Sequence, residues 1–419
     1  MTASDPIVTD LIANEPIVYD PYDFEIDNDP YPVWKRMRDE APLYYNEKHD
    51  FYALSRFDDV EQASVNWRTF SSGKGSVLEL IKSGTPIPPG LILFEDPPAH
   101  DLHRGLLARV FTPKRMEAIE DKVREFTARA LDPHVGTGGF DFIHHLGAEM
   151  PMRTIGMLLG IPEADQEAIR DQIDEGMRLD GDGVVPDREK SMAVTSGDIF
   201  ATYIDWRAEH PSDDLMTDLI QAEFVDATGE TRRLHKSEIL AYVGLIAAAG
   251  NETTTRLIGW TGKVLAEHPD QRQMLVDDPS MIPNAIEELL RYEAPSPVQA
   301  RYITQDVEHH GRKVAAGNVM LLMTASANRD ERRFPDPDRF DVTRKIGHHL
   351  TFGYGIHFCL GAALARLEGR VALQEVLKRF PTWEVDWDHA VQARTSTVRG
   401  WETMPVLTRP TRGPLAGEA

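Results

Sequence analysis

The longest coherent pattern in the chain runs from Lys236 to Glu267, about 32 residues without a proline, or roughly 48 Å at about 1.5 Å per residue. Apolar residues fall on every side of it, as in Ile239, Leu240, Val243, Leu245 and Ile246, so the pattern predicts a helix buried through the middle of the molecule. Before it, Tyr31 to Glu40 reads as a short helix. Leu43 to Arg56 reads as a hairpin whose β-rich ends flank Asn46 to Asp50. Amphipathic helices follow, roughly Met116–Ala130, Gly147–Leu159, Ala164–Leu179 and Ser191–Ala208, interrupted at Asp180 to Pro186. After Pro295 and Pro297, Val298 to Val314 alternates as strands do, a helical pattern starts at Leu360, and Trp383 to Val406 reads as short strands. Val77 to Ile92 mixes Gly and Pro with bulky aliphatics, which suits a loop covering a pocket.

Charge and cysteine usage narrow this picture. With 45 basic and 68 acidic residues the net charge is −23, which argues against nucleic acid and anionic membrane surfaces as partners. A single cysteine excludes a disulfide framework and any multi-Cys zinc or iron–sulfur site. Met1 to Pro30 has neither the basic nor the apolar region of a signal peptide, and Ile239 to Gly250 falls short of the ~20 residues of a membrane helix. A soluble, cytoplasmic protein is expected.

The one cysteine, Cys359, lies among Gly353, Gly355 and Gly361, just before a helical pattern. A lone cysteine is usually a small buried hydrophobe. Near a helix N-terminus, however, the exposed N–H groups favour a thiolate, the state that binds metal. In the long helix, Ala249-Gly250-Asn251-Glu252-Thr253-Thr254 is a poor sequence for a buried centre, because hydroxyl side chains compete for backbone carbonyls. A packing glycine beside a solvated Glu252 is the plainer account. His100 and Arg104 share one helix face after Asp96-Pro97-Pro98, and Glu288 and Arg291 stand at i,i+3; alone, each is an ordinary surface pattern. His100 and His103 lack a third ligand for a zinc site.

Together these residues resemble the cytochrome P450 superfamily. Phe352, Gly355, Cys359 and Gly361 match its haem-binding signature F-x-x-G-x-x-x-C-x-G, and Ala249 to Thr253 match its A-G-x-[DE]-T motif. The resemblance implies a mainly α (α+β) fold, a helical bundle around a buried haem with small antiparallel sheets at one side, as one domain over residues 1–419. It implies haem b (iron protoporphyrin IX) with Cys359 as thiolate ligand and Phe352 beside the sulfur. Propionate partners would be His100, Arg104, Arg301 and His357. Thr253 would hydrogen-bond the reducing dioxygen, Glu252 would relay protons from solvent, and Gly250 would make room for dioxygen. Glu288, Arg291 and Arg339, the last from Pro337-Asp338-Arg339-Phe340, would brace the cysteine loop.

The implied activity is a monooxygenase acting on a hydrophobic small molecule, with dioxygen as co-substrate. Electrons would come from a ferredoxin-type iron–sulfur partner and its NAD(P)H-dependent reductase. A peroxide-driven peroxygenase and a non-catalytic haem sensor or carrier are the alternatives, and the Glu252–Thr253 pair argues against both. Leu245, Ala248, Ala249, Val298 and Val398 are the expected apolar pocket liners, with Gln299 to orient a polar group; Arg256 and His103 are not placed by the sequence. An acidic ferredoxin is expected to dock on Arg109, Lys114, Arg115, Arg344, Lys345, Arg366 and Arg370.

Overall fold

The computed structural model describes residues 16–87, 90–108, 110–177, 198–226, 228–395 and 397–408. Its axis is the helix Lys236–Glu267. Glu238 starts it, accepting the His235 backbone N–H at 2.7 Å while Arg232 holds the same carboxylate at 2.8 Å. Pro269 stops it by opening the next helix, Pro269–Asp277. The central helix packs against Met150–Leu159, the π-type turn Phe142–Gly147, Ile282–Tyr292 and the cysteine helix Ala362–Arg379. Tyr242, Val243, Leu257, Trp260 and Leu265 join Ile155, Leu289 and Val371 in the main core. Burying each such aliphatic side chain contributes about 1.5–3 kcal/mol, so tertiary packing rather than propensity holds this helix.

The largest sheet lies to one side, in the strand order Leu43–Asn46, Phe51–Leu54, Val319–Leu322, Gln299–Ile303, Phe70–Ser71. The strand pairs are antiparallel as expected, with one exception among the described residues. Val319–Leu322 runs parallel to Phe51–Leu54, because the chain reaches it after a long excursion and not through a hairpin. It runs antiparallel to Gln299–Ile303, with Met320 opposite Arg301. Trp383–Val385, Pro405–Thr408 and Gly139–Asp141 form a second sheet, and Val391–Gln392 pairs with Trp401–Thr403 in a C-terminal hairpin.

Other elements shift from expectation for local reasons. The Met116–Ala130 helix divides into Pro113–Ala118 and Glu120–Leu131, where the Ile119 N–H closes a tight turn on the Met116 carbonyl at 3.2 Å. The helix expected from Gly147 begins at Met150, and the one expected from Ala164 runs Glu163–Met177. Asp180 to Pro186, Leu179 and the start of Ser191–Ala208 lie outside the described residues, leaving Ala201–Glu209. Within Val77 to Ile92, Leu78–Ser83 is helical, and Leu78 and Ile81 bury against Trp34 and Ala300. Among the described residues no helix is long and apolar enough to cross a membrane.

Candidate functional site

Cys359 sits at the end of a loop that closes on itself, its backbone N–H donating to the Phe352 carbonyl at 2.7 Å. Gly353 and Gly355 turn the loop with φ of 68° and 75°. At Gly355 sterics add to the torsional demand, since a Cβ would stand 2.8 Å from the Ser64 carbonyl oxygen at the end of the helix Phe57–Val65. Phe352 is buried, with the Arg366 guanidinium 4.5 Å from its ring centre. The Cys359 side chain is accessible although protein surrounds it, so the sulfur faces a concavity. Burial pushes its thiol up, against the Gly361 N–H and the guanidiniums of Arg104 and Arg366. In the protein alone, desolvation therefore outweighs the thiolate preference expected at a helix start.

The four expected propionate partners converge near this sulfur. His100, on the helix Ala99–Leu107, packs its ring 4.6 Å from that of His357. Arg104 donates to the Phe358 carbonyl. Arg301 is buried on its strand, donating to the Ala300 carbonyl at 2.7 Å and to Gln299 Oε1 at 3.0 Å. Burial lowers Arg301 to about 10. Burial, then Arg301, His100 and Arg104, hold His357 down at about 3. His100 Nε2 and His357 Nε2 are buried without hydrogen-bond partners. Asp96, the carboxylate acting on Arg301, is already held by the Ser71 hydroxyl and the Ser72 N–H. Two imidazole nitrogens without partners and two guanidiniums gathered in one cleft fit a group carrying carboxylates, as haem does.

Glu288 and Arg291 form a fully buried bidentate pair at 2.7 and 2.8 Å. The third guanidinium is not that of Arg339, which is corrected here: Arg344 Nε bonds Glu288 at 3.1 Å, while the exposed Arg339 offers its carbonyl to Arg291 and Arg344. Asn328, unnoticed in the sequence, carries the brace forward. Its carbonyl accepts Arg291 Nη1 at 3.0 Å, its Oδ1 accepts the Leu350 N–H at 2.7 Å, and its Nδ2 donates to Thr351 at 2.8 Å.

On the central helix, Leu245, Ala248, Ala249 and Thr253 form a stripe that is partly or fully exposed between buried faces. Thr253 Oγ1 donates to the Ala249 carbonyl at 2.9 Å. Glu252 turns elsewhere and is ion-paired with Arg256, which also donates to the Trp401 carbonyl. The i,i+4 spacing of Glu252 and Arg256 is a signal that the sequence did carry. At Gly250 an added Cβ would stand 3.0 Å from Ile155 Cδ1. A further buried carboxyl, Glu368, was also missed; it accepts the Thr254 hydroxyl at 3.3 Å, and burial raises it well above the usual range.

Val298 and Val398 line one cavity together with Tyr22, Val77 and Leu78. Gln299 accepts Arg301 Nη2 at its Oε1. The expected docking cations are largely committed: Arg366 to Glu287, Arg370 to Glu120, Arg115 to Asp218 and Arg344 to Glu288. Lys114 and Lys345 are exposed, and Arg109 lies outside the described residues.

A family model described as Cytochrome P450 matches residues 188–400. A protein named putative cytochrome P450 123 from Mycobacterium tuberculosis is 38% identical over 404 residues, covering 95% of this chain and 99% of that one. A vitamin D(3) 25-hydroxylase from Pseudonocardia autotrophica is 34% identical, covering 91% and 94%. Among solved structures, a mutant of P450 EryK in complex with erythromycin B superposes with a TM-score of 0.82 at 30% identity, covering 93% and 98%. A Bacillus megaterium P450 in complex with testosterone gives 0.81 at 29% identity, covering 92% and 99%.

Proposed function

The chain belongs to the cytochrome P450 family and is a monooxygenase-class oxidoreductase, and from that premise we propose that Cys359 binds haem b as thiolate in order to oxidise a hydrophobic substrate. The observation that carries this reading is the cleft itself, where His100, Arg104, Arg301 and His357 gather beside the sulfur and two imidazole nitrogens lack partners. Those four residues would hold the propionates. Haem, when bound, supplies the iron at which dioxygen is reduced, and a thiolate ligand favours cleavage of the O–O bond.

The chain's own work is positioning and proton traffic. The Arg291–Asn328–Leu350 connection fixes the cysteine loop. Thr253, on the open stripe of the central helix, presents its hydroxyl to the reacting oxygen, and Glu252 brings protons from the solvent side. Leu245, Ala248 and Ala249 offer an apolar wall, and Val298 and Val398 a second one near the N-terminal arm. The relatives named for vitamin D(3) and crystallised with testosterone or erythromycin B favour a substrate with a large, mainly apolar skeleton. Electrons come from a separate ferredoxin-type protein, docked by the exposed Lys114 and Lys345 and not by the paired arginines.

The test is the difference spectrum of the reduced carbon monoxide complex. Native protein should give the thiolate-ligated band and Cys359→Ser should lose it. Retention of that band in the serine variant would remove the proposal. A Soret-shift screen with sterols and macrolides then addresses the substrate.

A further inference from the structure

Glu252 and Thr253 are neighbours in sequence, yet their side chains leave the helix about 100° apart and have separate partners. Glu252, 3% exposed, is paired with Arg256, itself 8% exposed. The guanidinium is held at two points, since a second nitrogen donates to the Trp401 carbonyl of the C-terminal hairpin. Its Nε is buried and without a partner, so nothing draws the group elsewhere. The arginine stem has no slack either, because a Cβ at Gly400 would stand 2.7 Å from Arg256 Cδ and 3.0 Å from its Cβ. The hairpin is pinned in turn: the Arg399 carbonyl accepts Trp260 Nε1 at 2.9 Å, the Arg399 N–H donates to Pro295 at 2.7 Å, and its guanidinium meets Glu293 at 2.8 Å.

We propose that Arg256 is a positioning residue that controls when Glu252 can hand a proton toward Thr253, and that the hairpin residues Gly400 and Trp401 set Arg256. This rests on the reading of Glu252 as the proton carrier. While the pair is closed, the carboxylate lies toward the C-terminal half of the helix and cannot serve Thr253. Opening the pair frees the carboxylate to take one proton from water and release that same proton on the Thr253 side, after which Arg256 recaptures the anion. The control thus lies in the helix's own next turn and in a hairpin about 145 residues downstream, fastened through a backbone carbonyl whose position depends on a glycine.

The experiment uses the haem-loaded enzyme with a ferredoxin and reductase, and reads two quantities. One is the H2O/D2O isotope effect on coupled NADH consumption. The other is the infrared C=O band of a protonated carboxyl, recorded without turnover. Arg256→Gln removes the partner of a buried carboxylate, so a new protonated-carboxyl band should appear, vanish in the Glu252→Gln/Arg256→Gln double variant, and accompany a reduced isotope effect. Arg256→Lys keeps the charge, so no protonated-carboxyl band should appear, but its single nitrogen replaces a two-point hold, so the isotope effect should fall part of the way towards that of Arg256→Gln. Gly400→Ala retains both charged residues but displaces the arginine, and should move both readouts in the direction of Arg256→Gln; it serves if the glutamine variant does not fold. A native isotope effect with no new band in Arg256→Gln and Gly400→Ala overturns the proposal. If Glu252→Gln alone leaves the isotope effect native, the proton-carrier reading itself has failed, a result separable from the first.

Discussion

Arg291 donates to the Asn328 carbonyl at 3.0 Å, and through Asn328 a fully buried ion pair is joined to the first residues of the cysteine loop. Removing Glu288's charge leaves Arg291 buried and unpaired, which costs about 3–5 kcal/mol. Asn328→Ala strands the Leu350 N–H and costs about 1–3 kcal/mol. Both variants should lower the urea midpoint and retain less haem per chain after gel filtration. A native midpoint in Glu288→Gln would show that the pair is not the brace.

Gly355 combines a φ of 75° with a backbone neighbour at 2.8 Å, so Gly355→Ala should destabilise the loop by at least ~1–3 kcal/mol. Gly229→Ala provides the comparison, because Gly229 also has positive φ but nothing within 4 Å, and should cost only about 1 kcal/mol. Equal losses in the two variants would mean that Ser64 gives way easily.

Glu368 imposes a pH dependence of known sign. Burial holds its carboxyl well above the ordinary range, so the folded chain keeps a proton that the unfolded chain releases above about pH 4.3. The stability linked to it is complete below that pH and is lost as pH rises through the folded-state value. Glu368→Gln should therefore gain in Tm over the native protein between about pH 5 and about pH 8. A Tm difference identical at both ends contradicts the assignment.

Thr253→Ala removes the hydroxyl from the open stripe without touching the Glu252–Arg256 pair. NADH should still be consumed, while product per NADH falls and peroxide rises in its place, because a positioned proton donor is lost. Coupled product measured against NADH, with peroxide by an independent assay, decides this; unchanged coupling assigns proton delivery to another group.

How far the sequence carried the account depended on whether each feature was local. The central helix was legible to its end residues because Glu238 caps one end and Pro269 stops the other. The cysteine loop was legible because its glycines and its sulfur sit at fixed spacing. Arg344 displaced Arg339 in the brace because only the folded chain decides which of two nearby guanidiniums reaches Glu288. The helix Leu78–Ser83 reads in the sequence as part of a loop because nothing in its neighbourhood announces the sheet against which Leu78 and Ile81 bury. Glu368 was missed because its partner Thr254 is 114 residues away.

The seat of the cysteine loop against Ser64 also bears on how the protein is made. During synthesis the chain passes Ser64 early, and almost 300 residues must follow before Gly355 leaves the ribosome to meet it. Contacts of such sequence separation form late, after most of the loop-closure entropy has been spent. The N-terminal half must therefore wait, partly assembled, with the floor of the cleft missing. A nascent chain truncated just short of the cysteine helix should therefore be a substrate for chaperones and proteases instead of a slow folder.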